Sequence, residues 1–365
     1  MDSTPTTQKV IVLEKVIPSN SLGPIWHHSV LREIPLRTRA EGELTIKISS
    51  FSFNHRDVWI RKGLYPSILF PSIIGSDCTG TVVGPVGHSL QGVQVVVYPA
   101  VNWLEDSRGP DVPEKPFGIL GGTRLTDGVG TFAEYIQVPE SSCVPVPSHL
   151  SGVHAAAIPL AGLTAFRAVF TKAEVKSGMR VLVTGIGGGV AIFALQLCLA
   201  VGAKVWVTSG SEEKLKAAKA LGAEGGVNYK QDDWSARLAS LLPADRLMLD
   251  VVIDSSGGEI IQKCKHILRD GGRLVCYGST TGAPMKITMA EVLKNLELRT
   301  STMGSLLEFK QMVEFIGKHQ IRPVVFKTLS GFEAVEEGFE IINKGEQFGK
   351  VVVVISHERP TSPRL

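Results

Sequence analysis

A glycine-rich segment in the middle of the chain constrains the fold more than any other feature of the sequence. Residues 181–191 read VLVTGIGGGVA, so an apolar run enters the glycines and a predicted helix over 191–200 leaves them. Glycines permit a tight turn and let the backbone approach a pyrophosphate, to which the helix N-terminus offers free N–H groups. The segment predicts a dinucleotide site, although valine occupies the position of its last glycine. A packing turn that binds no ligand is the alternative. The predicted phosphate-binding residues are Gly187, Gly188, Gly189 and Val190.

The residues around this segment predict a parallel sheet. Short apolar runs at 181–184, 204–208, 251–254 and 272–277 alternate with helical patterns. Fully apolar strands between helices are typical of a sheet covered on both faces. The long apolar stretch 190–207 contains polar and glycine interruptions, so we interpret it as a helix followed by a strand and not as a membrane span.

The two ends of the chain have a different pattern. Residues 8–150 are rich in β-branched residues, glycine and proline, which predicts an all-β unit. A strand over 350–355 does not fit the parallel sheet, and we expect the C-terminus to return to the β-rich unit. The predicted fold class is α/β, with a β-rich domain of residues 1–152 and 305–365 and a doubly wound parallel-sheet domain of residues 153–304.

Charge and cysteine content exclude several classes of protein. Lys and Arg total 38 and Asp and Glu total 35, which gives no basic excess suited to nucleic acid or an anionic membrane. The five cysteines form no CxxC pair, which excludes a disulfide framework and a local four-cysteine zinc site. A cytoplasmic location is expected. The final Pro363-Arg364-Leu365 resembles a peroxisomal address, with a frayed polar tail as the alternative.

The end of the second parallel strand indicates which nucleotide binds. An NAD site usually places a carboxylate there, whereas this chain has small hydroxyls and a lysine, which suit the 2′-phosphate of NADPH. The candidate ligands are Ser209, Ser211, Lys214 and Tyr229. As alternatives, Ser211 is only a helix N-cap, Lys214 is a solvated residue, and Glu212 or Glu213 supports NAD binding. Ser255 and Gly278 follow later strands at the same edge and are also predicted to contact the cofactor.

Several motifs extend along nearly the whole chain. They are FNHRD at 53–57, RKGLYP at 61–66, PSIIGSDCTGTV at 71–82, GTFAEY at 130–135, LTA at 163–165 and FGKVV at 348–352. With these motifs in this order, the sequence resembles the medium-chain dehydrogenase/reductase superfamily and its zinc-free, quinone oxidoreductase-like branch. The resemblance implies a discontinuous GroES-like catalytic domain, a Rossmann domain, a homodimer and a small-molecule substrate.

The resemblance also implies that no metal is bound. Zinc-dependent members carry zinc ligands at the positions of Asn54, Ser76 and the region of Pro159. We find fewer than the three suitable ligands that a catalytic zinc needs. Without zinc, the chemistry best suited to the site is hydride transfer from NADPH to a quinone or an α,β-unsaturated carbonyl. The alternatives are an alcohol dehydrogenase or carbonyl reductase, and a non-catalytic NADPH-binding sensor or scaffold.

Individual roles follow from the same resemblance. His55 and Tyr65 are the candidate catalytic donors, with a structural histidine as the alternative for His55. Asn54 is expected beside the nicotinamide ribose, and Asp57 contacts the cofactor, caps a short helix or pairs with an arginine.

Three further positions match family segments near the cofactor. Thr164 is expected near the phosphates, with a role inside its own helix as the alternative. Met303 matches a segment near the nicotinamide. Lys350 either contacts the cofactor or is a solvated residue at a strand start.

Overall fold

The computed structural model describes residues 5–17, 25–245 and 247–355, so the C-terminal tripeptide lies outside the described residues. The chain divides into two compact units, Met1–Leu160 with Ser305–Leu365 and Ala161–Gly304. The first division falls after Leu160 and not after residue 152, because a short helix at Gly152–Ala156 packs on strands of the first unit.

The strands of the described residues are, in chain order, β1 (Thr7–Glu14), β2 (His28–Pro35), β3 (Glu43–Ser52), β4 (Ser72–Ile73), β5 (Asp77–Gly84), β6 (Gln94–Val97), β7 (Ala100–Val101), β8 (Gly118–Ile119), β9 (Tyr135–Pro139), β10 (Cys143–Pro145), β11 (Arg180–Val183), β12 (Lys204–Ser209), β13 (Gly225–Asn228), β14 (Leu249–Asp254), β15 (Leu268–Cys276), β16 (Glu297–Thr300), β17 (Val325–Ser330) and β18 (Lys350–Val354).

The α-helices of the same residues are α1 (His55–Arg61), α2 (Gly152–Ala156), α3 (Pro159–Phe166), α4 (Gly189–Ala200), α5 (Glu212–Ala220), α6 (Trp234–Leu241), α7 (Ile260–Cys264), α8 (Met289–Leu293), α9 (Leu306–Lys318) and α10 (Val335–Lys344). None of them combines the length and the apolar character that crossing a membrane requires.

The first unit is built on a seven-stranded sheet with the order β10-β6-β5-β3-β18-β17, to which β9 adds by pairing with β3. The C-terminal strand β18 lies between β3 and β17, with Val353 opposite Phe51. The chain therefore does return to the β-rich unit.

Aromatic side chains fill the core beneath this sheet. Phe51 stacks on Phe132 with ring centroids 4.3 Å apart, and Phe53 meets the edge of Phe339 at 5.1 Å. All four rings are buried. This packing fixes the end of β3, from which the chain enters α1.

The second unit is a six-stranded sheet with the order β13-β12-β11-β14-β15-β16, and every neighbouring pair is parallel. The strand order reverses between β11 and β14, which is where open α/β sheets bind ligands. The predicted doubly wound sheet is confirmed.

Candidate active site

A buried carboxylate organises the polar residues of the first unit. Asp77 is 0% exposed. Its Oδ2 accepts hydrogen bonds from Nζ of Lys350 at 2.8 Å, Nδ2 of Asn54 at 2.8 Å and Oγ of Ser52 at 3.0 Å. Its Oδ1 accepts from the backbone N–H of Leu160 at 2.8 Å. Both oxygens of this carboxylate are therefore used by the protein.

Lys350 uses all three of its ammonium protons in the same network. Besides Asp77, it donates to the carbonyl oxygen of Phe53 and to Oδ1 of Asn54, each at 2.7 Å. It is only 3% exposed, so the alternative of a solvated lysine is wrong. Because Lys350 binds the oxygen of Asn54 and Asp77 binds the nitrogen, the two charges fix the orientation of that amide.

The residues at the positions of zinc ligands do not fit zinc. A catalytic zinc is held by cysteine, histidine or carboxylate groups. Here Asn54 offers an amide, Ser76 a hydroxyl, and the carboxylate of Asp77 is already paired with an ammonium. Among the described residues, no group of three or more His, Cys, Asp or Glu side chains lies together as a metal site would need.

Asp57 belongs to the start of helix α1. Its carboxylate accepts from the backbone N–H of Asn54 at 2.8 Å, and its other oxygen lies 3.6 Å from Nη1 of Arg56. Capping and arginine pairing, both considered from the sequence, therefore occur together. Burial raises the pKa of Asp57 to about 6, against the opposing influence of Arg56.

The two candidate catalytic donors flank the same helix. His55 opens α1 and its ring is 6.0 Å from that of Trp59. His55 is exposed to solvent. Its pKa is nevertheless lowered, first by desolvation from neighbouring protein atoms and then by the positive charge of Lys62. Tyr65 is half-buried, with the guanidinium of Arg56 4.7 Å from its ring centroid. Their catalytic roles stay predictions.

The glycine-rich turn of the second unit depends on backbone angles that favour glycine. Gly185 and Gly187 have φ values of 65° and 141°, which only glycine adopts readily. Gly188 is the N-cap of α4, and a Cβ added there would meet nothing within 4 Å. Gly189 and Val190 form the first turn of α4, so its free N–H groups border open space.

The hydroxyls at the end of β12 already have protein partners. Oγ of Ser209 donates to the carbonyl of Ile186 at 3.3 Å and accepts from the N–H of Ser211 at 3.3 Å. Ser211 is the N-cap of α5, since its Oγ accepts from the N–H of Lys214 at 3.4 Å. The capping alternative is therefore present, and Lys214 lies half-buried in the first turn of that helix.

The two neighbouring carboxylates are held by other side chains. Glu212 accepts from Nδ2 of Asn228 at 3.0 Å, and Glu213 accepts from Oγ of Ser211 at 2.6 Å. The hydrogen bond from Ser211 lowers the pKa of Glu213. Both groups that would support NAD binding are therefore hydrogen-bonded within the protein.

A cavity of about 300 Å³ lies at the carboxyl ends of β11, β12 and β14, beside the glycine-rich turn. It contains two predicted cofactor residues, Tyr229 and Ser255, and its other lining residues include Thr184, Gly185, Thr208 and Lys263. Gly278 lies against this edge, because a Cβ added to it would be 3.1 Å from the carbonyl oxygen of Ser255.

Two residues predicted separately are in contact. Oγ1 of Thr164 lies 3.7 Å from Sδ of Met303, and both side chains are buried. Met303 has a φ of 44°, an uncommon conformation for a residue with a side chain. The contact helps to hold this strained residue in place within the second unit.

Sequence reasoning missed Asp254. This carboxylate is 0% exposed and ends β14. It accepts from Oγ1 of Thr184 at 2.6 Å, Oγ of Ser256 at 2.7 Å and the N–H of Gly257 at 2.7 Å. It ties the end of β11 to the loop after β14, both of which line the cavity. An aspartate at the carboxyl end of an apolar strand was the available signal.

Comparisons with known proteins match most of the chain to two described domain families. Residues 40–148 match the family described as alcohol dehydrogenase GroES-like domain, and residues 189–318 match the family described as zinc-binding dehydrogenase. The chain is 42% identical over 345 residues to a zinc-type alcohol dehydrogenase-like protein, YogA, of Leptosphaeria maculans, covering 91% of this chain and 96% of that protein. It is 27% identical over 335 residues to an acryloyl-coenzyme A reductase of Sulfurisphaera tokodaii, covering 88% of this chain and 95% of that protein.

Solved structures give the same result. An NAD-dependent alcohol dehydrogenase superimposes with a TM-score of 0.81 at 30% identity, covering 95% of this chain and 100% of that chain. A crotonyl-CoA carboxylase/reductase, AntE, in complex with NADP superimposes with a TM-score of 0.81 at 21% identity, covering 96% of this chain and 95% of that chain. At that identity the second likeness shows the fold alone.

Proposed function

Because this chain belongs to the medium-chain dehydrogenase/reductase superfamily, we propose that it is an NADPH-dependent oxidoreductase that transfers hydride to a quinone or an α,β-unsaturated carbonyl without zinc. The observation that carries the proposal is the network of Asn54, Asp77 and Lys350. At Asn54, a position that the resemblance assigns to a zinc ligand, the amide is bonded to the ammonium of Lys350 and the carboxylate of Asp77. These groups fit no zinc, so the reaction is one that proceeds without a Lewis acid.

The substrate class follows from that chemistry. A plain carbonyl needs polarisation before it accepts hydride, whereas a quinone or a conjugated alkene is already activated. The acryloyl-coenzyme A reductase to which this chain is 27% identical is named for a conjugated substrate of this kind. Bound NADPH supplies the hydride. The protein supplies orientation, and a proton donor for which His55 and Tyr65 are the candidates.

Asn54 is suited to orient the cofactor. Its amide nitrogen carries two protons, and Asp77 accepts one of them at 2.8 Å. Within the described ranges no residue accepts the other. We assign this second N–H to the nicotinamide ribose. The fixed amide then presents a donor without an entropic cost at the moment of binding.

The preference for NADPH rests on the end of β12. Glu212 and Glu213 are hydrogen-bonded to Asn228 and Ser211, so both carboxylates are held by protein partners. Lys214 and the N-terminus of α5 place positive charge at the same tip. This combination favours a phosphorylated ribose.

The test is the oxidation of NADPH, with NADH in parallel, by a quinone, an enone and an aldehyde, together with the zinc content of the purified protein. We expect turnover of the quinone or enone with NADPH, and no stoichiometric zinc. The protein's zinc content must be measured before any chelator is added, so that a native metal is not removed.

A second candidate function is alcohol oxidation or carbonyl reduction, which the 30% identity to an NAD-dependent alcohol dehydrogenase favours. One zinc per chain together with turnover of the aldehyde and its alcohol would establish this function in place of the first. Tight NADPH binding without reduction of any acceptor would instead indicate the non-catalytic role.

A further inference from the structure

Two side chains of the segment after β13 cover the end of β12. A Cβ built on Gly210 would lie 2.8 Å from Cε of Lys230 and 2.9 Å from the phenol oxygen of Tyr229. The N–H of Tyr229 donates to the carbonyl of Ser209 at 3.0 Å, and Ser209 is in register with Asn228. The sheet itself therefore holds Lys230 over the tip of β12.

The ammonium of Lys230 is not paired with any carboxylate of the described residues. The side chain is exposed, and in the part of the chain that the structure describes it has no hydrogen-bond or ion-pair partner. The nearby carboxylates of Glu212 and Glu213 are bonded to Asn228 and Ser211. A cation that makes no ion pair within the described residues thus stands beside Gly210.

The tip of the second parallel strand is where a Rossmann domain receives the adenosine ribose. A ribose diol is neutral, whereas a 2′-phosphate carries nearly two negative charges and three acceptor oxygens. Because only the phosphorylated ribose gains from a cation there, we propose that Lys230 is a specificity-determining residue that binds the 2′-phosphate of NADPH. This inference rests on the proposed function.

The test uses nucleotide fragments and the full-length protein, so that it does not depend on a substrate. Calorimetry gives the Kd values of 2′,5′-ADP, 3′,5′-ADP and 5′-ADP for the wild type, Lys230→Met and Lys230→Arg. Lys219→Met is the matched control, because Lys219 is an exposed lysine in the last turn of α5, away from the β12 tip. Thermal unfolding of each variant checks that the fold is unchanged.

We expect Lys230→Met to weaken 2′,5′-ADP by about 10-fold, the effect of losing one charge-assisted hydrogen bond, and to leave 5′-ADP within twofold. Lys230→Arg should keep the preference, and Lys219→Met should change neither nucleotide. An equal loss of 2′,5′-ADP and 3′,5′-ADP would make Lys230 a general cation and overturn the inference.

Two other results separate this inference from the function on which it rests. If the wild type binds 5′-ADP as tightly as 2′,5′-ADP, the proposed NADPH preference is wrong and the inference falls with it. If the wild type prefers 2′,5′-ADP and Lys230→Met retains that preference in full, the inference alone is wrong.

Discussion

At the scale of single residues, we expect substitution of either partner of the Lys350–Asp77 ion pair to be strongly destabilising. Each partner is almost fully buried, and each is hydrogen-bonded to Asn54 as well. Removal of one charge leaves the other buried without compensation, which costs far more than the loss of a surface pair.

Lys350→Met is therefore expected to lower the free energy of unfolding by about 3–5 kcal/mol. Urea unfolding at pH 7 measures it. The matched control is Lys327→Met on the neighbouring strand, because Lys327 pairs with Glu337 where both side chains are close to half exposed. That variant should lose less than about 1 kcal/mol. Equal losses in the two variants would show that the buried network contributes nothing beyond an ordinary ion pair.

Asp57 gives a pH-dependent prediction. Its pKa of about 6 in the folded protein exceeds its ordinary value of 3.8, so the folded state binds the proton more tightly. Stability conferred by that proton is complete below pH about 4 and is lost as the pH rises to about 6.

Asp57→Asn should remove this dependence while keeping an acceptor for the N–H of Asn54. Urea unfolding at pH 4, 5, 6 and 7 should show a flatter profile for the variant, by up to about 3 kcal/mol across this window. A profile parallel to that of the wild type would mean that Asp57 titrates near its ordinary value.

At the scale of elements, the turn before β5 depends on a glycine in a crowded place. Gly75 has a φ of 88°, and a Cβ added to it would lie 2.1 Å from Cδ1 of Phe132. Gly87 has a similar φ of 83°, but an added Cβ there would meet nothing within 4 Å. Comparing alanine substitutions at Gly75 and Gly87 therefore separates the cost of backbone strain from the cost of steric overlap.

Gly87→Ala should cost about 1 kcal/mol, the strain of a side chain at positive φ. Gly75→Ala adds the clash with Phe132 and should cost at least about 1–3 kcal/mol more. Thermal unfolding of the two variants measures the difference. Similar unfolding temperatures would show that Phe132 moves aside at little cost.

The elements themselves were largely predictable, and their tertiary partners were not. Runs such as 204–208 and 251–254 predicted β12 and β14 because their apolar character is local information. Strand β5 ends at Gly84, since Pro85 offers no N–H to extend the ladder. The segment 104–106 is held by the carboxylate of Asp111, which accepts hydrogen bonds from its three N–H groups. No local sequence pattern indicates this.

In the candidate site, too, local features were predictable from the sequence and tertiary partners were not. The strand-turn-helix pattern predicted the glycine-rich turn between β11 and α4, and the resemblance selected Asn54 and Lys350. Neither could show that Lys350 is bonded to Asp77, because the two residues are 273 positions apart in the chain. Asp254 was missed because a carboxylate at a strand end has no distinctive spacing. Its role is visible only once donors from Thr184, Ser256 and Gly257 converge on it.

At the scale of the whole molecule, the first unit is closed by a strand from the far end of the chain. β18 pairs antiparallel with β3 and parallel with β17, so it is internal to its sheet. It also begins with Lys350. Loss of this strand removes backbone pairing on both sides and the partner of Asp77 together.

A chain that ends after residue 348 should therefore fail to form a cooperative first unit, because β3 and β17 lose the strand between them. A chain that ends after residue 355 keeps every described element and should unfold as the full-length protein does. Circular dichroism and solubility after expression compare the two. Cooperative unfolding of the shorter chain at the wild-type temperature would contradict the expectation.

The position of β18 has a consequence for how the protein is made. The ribosome synthesises residues 54 and 77 long before residue 350. Asn54 and Asp77 therefore have no ammonium partner until most of the chain has been made. A nascent chain interrupted by a stop between residues 200 and 350 contains the glycine-rich turn but not the completed network around Asn54. Because this ammonium lies in the last of the described strands, a chain released before residue 350 cannot form the network around Asn54.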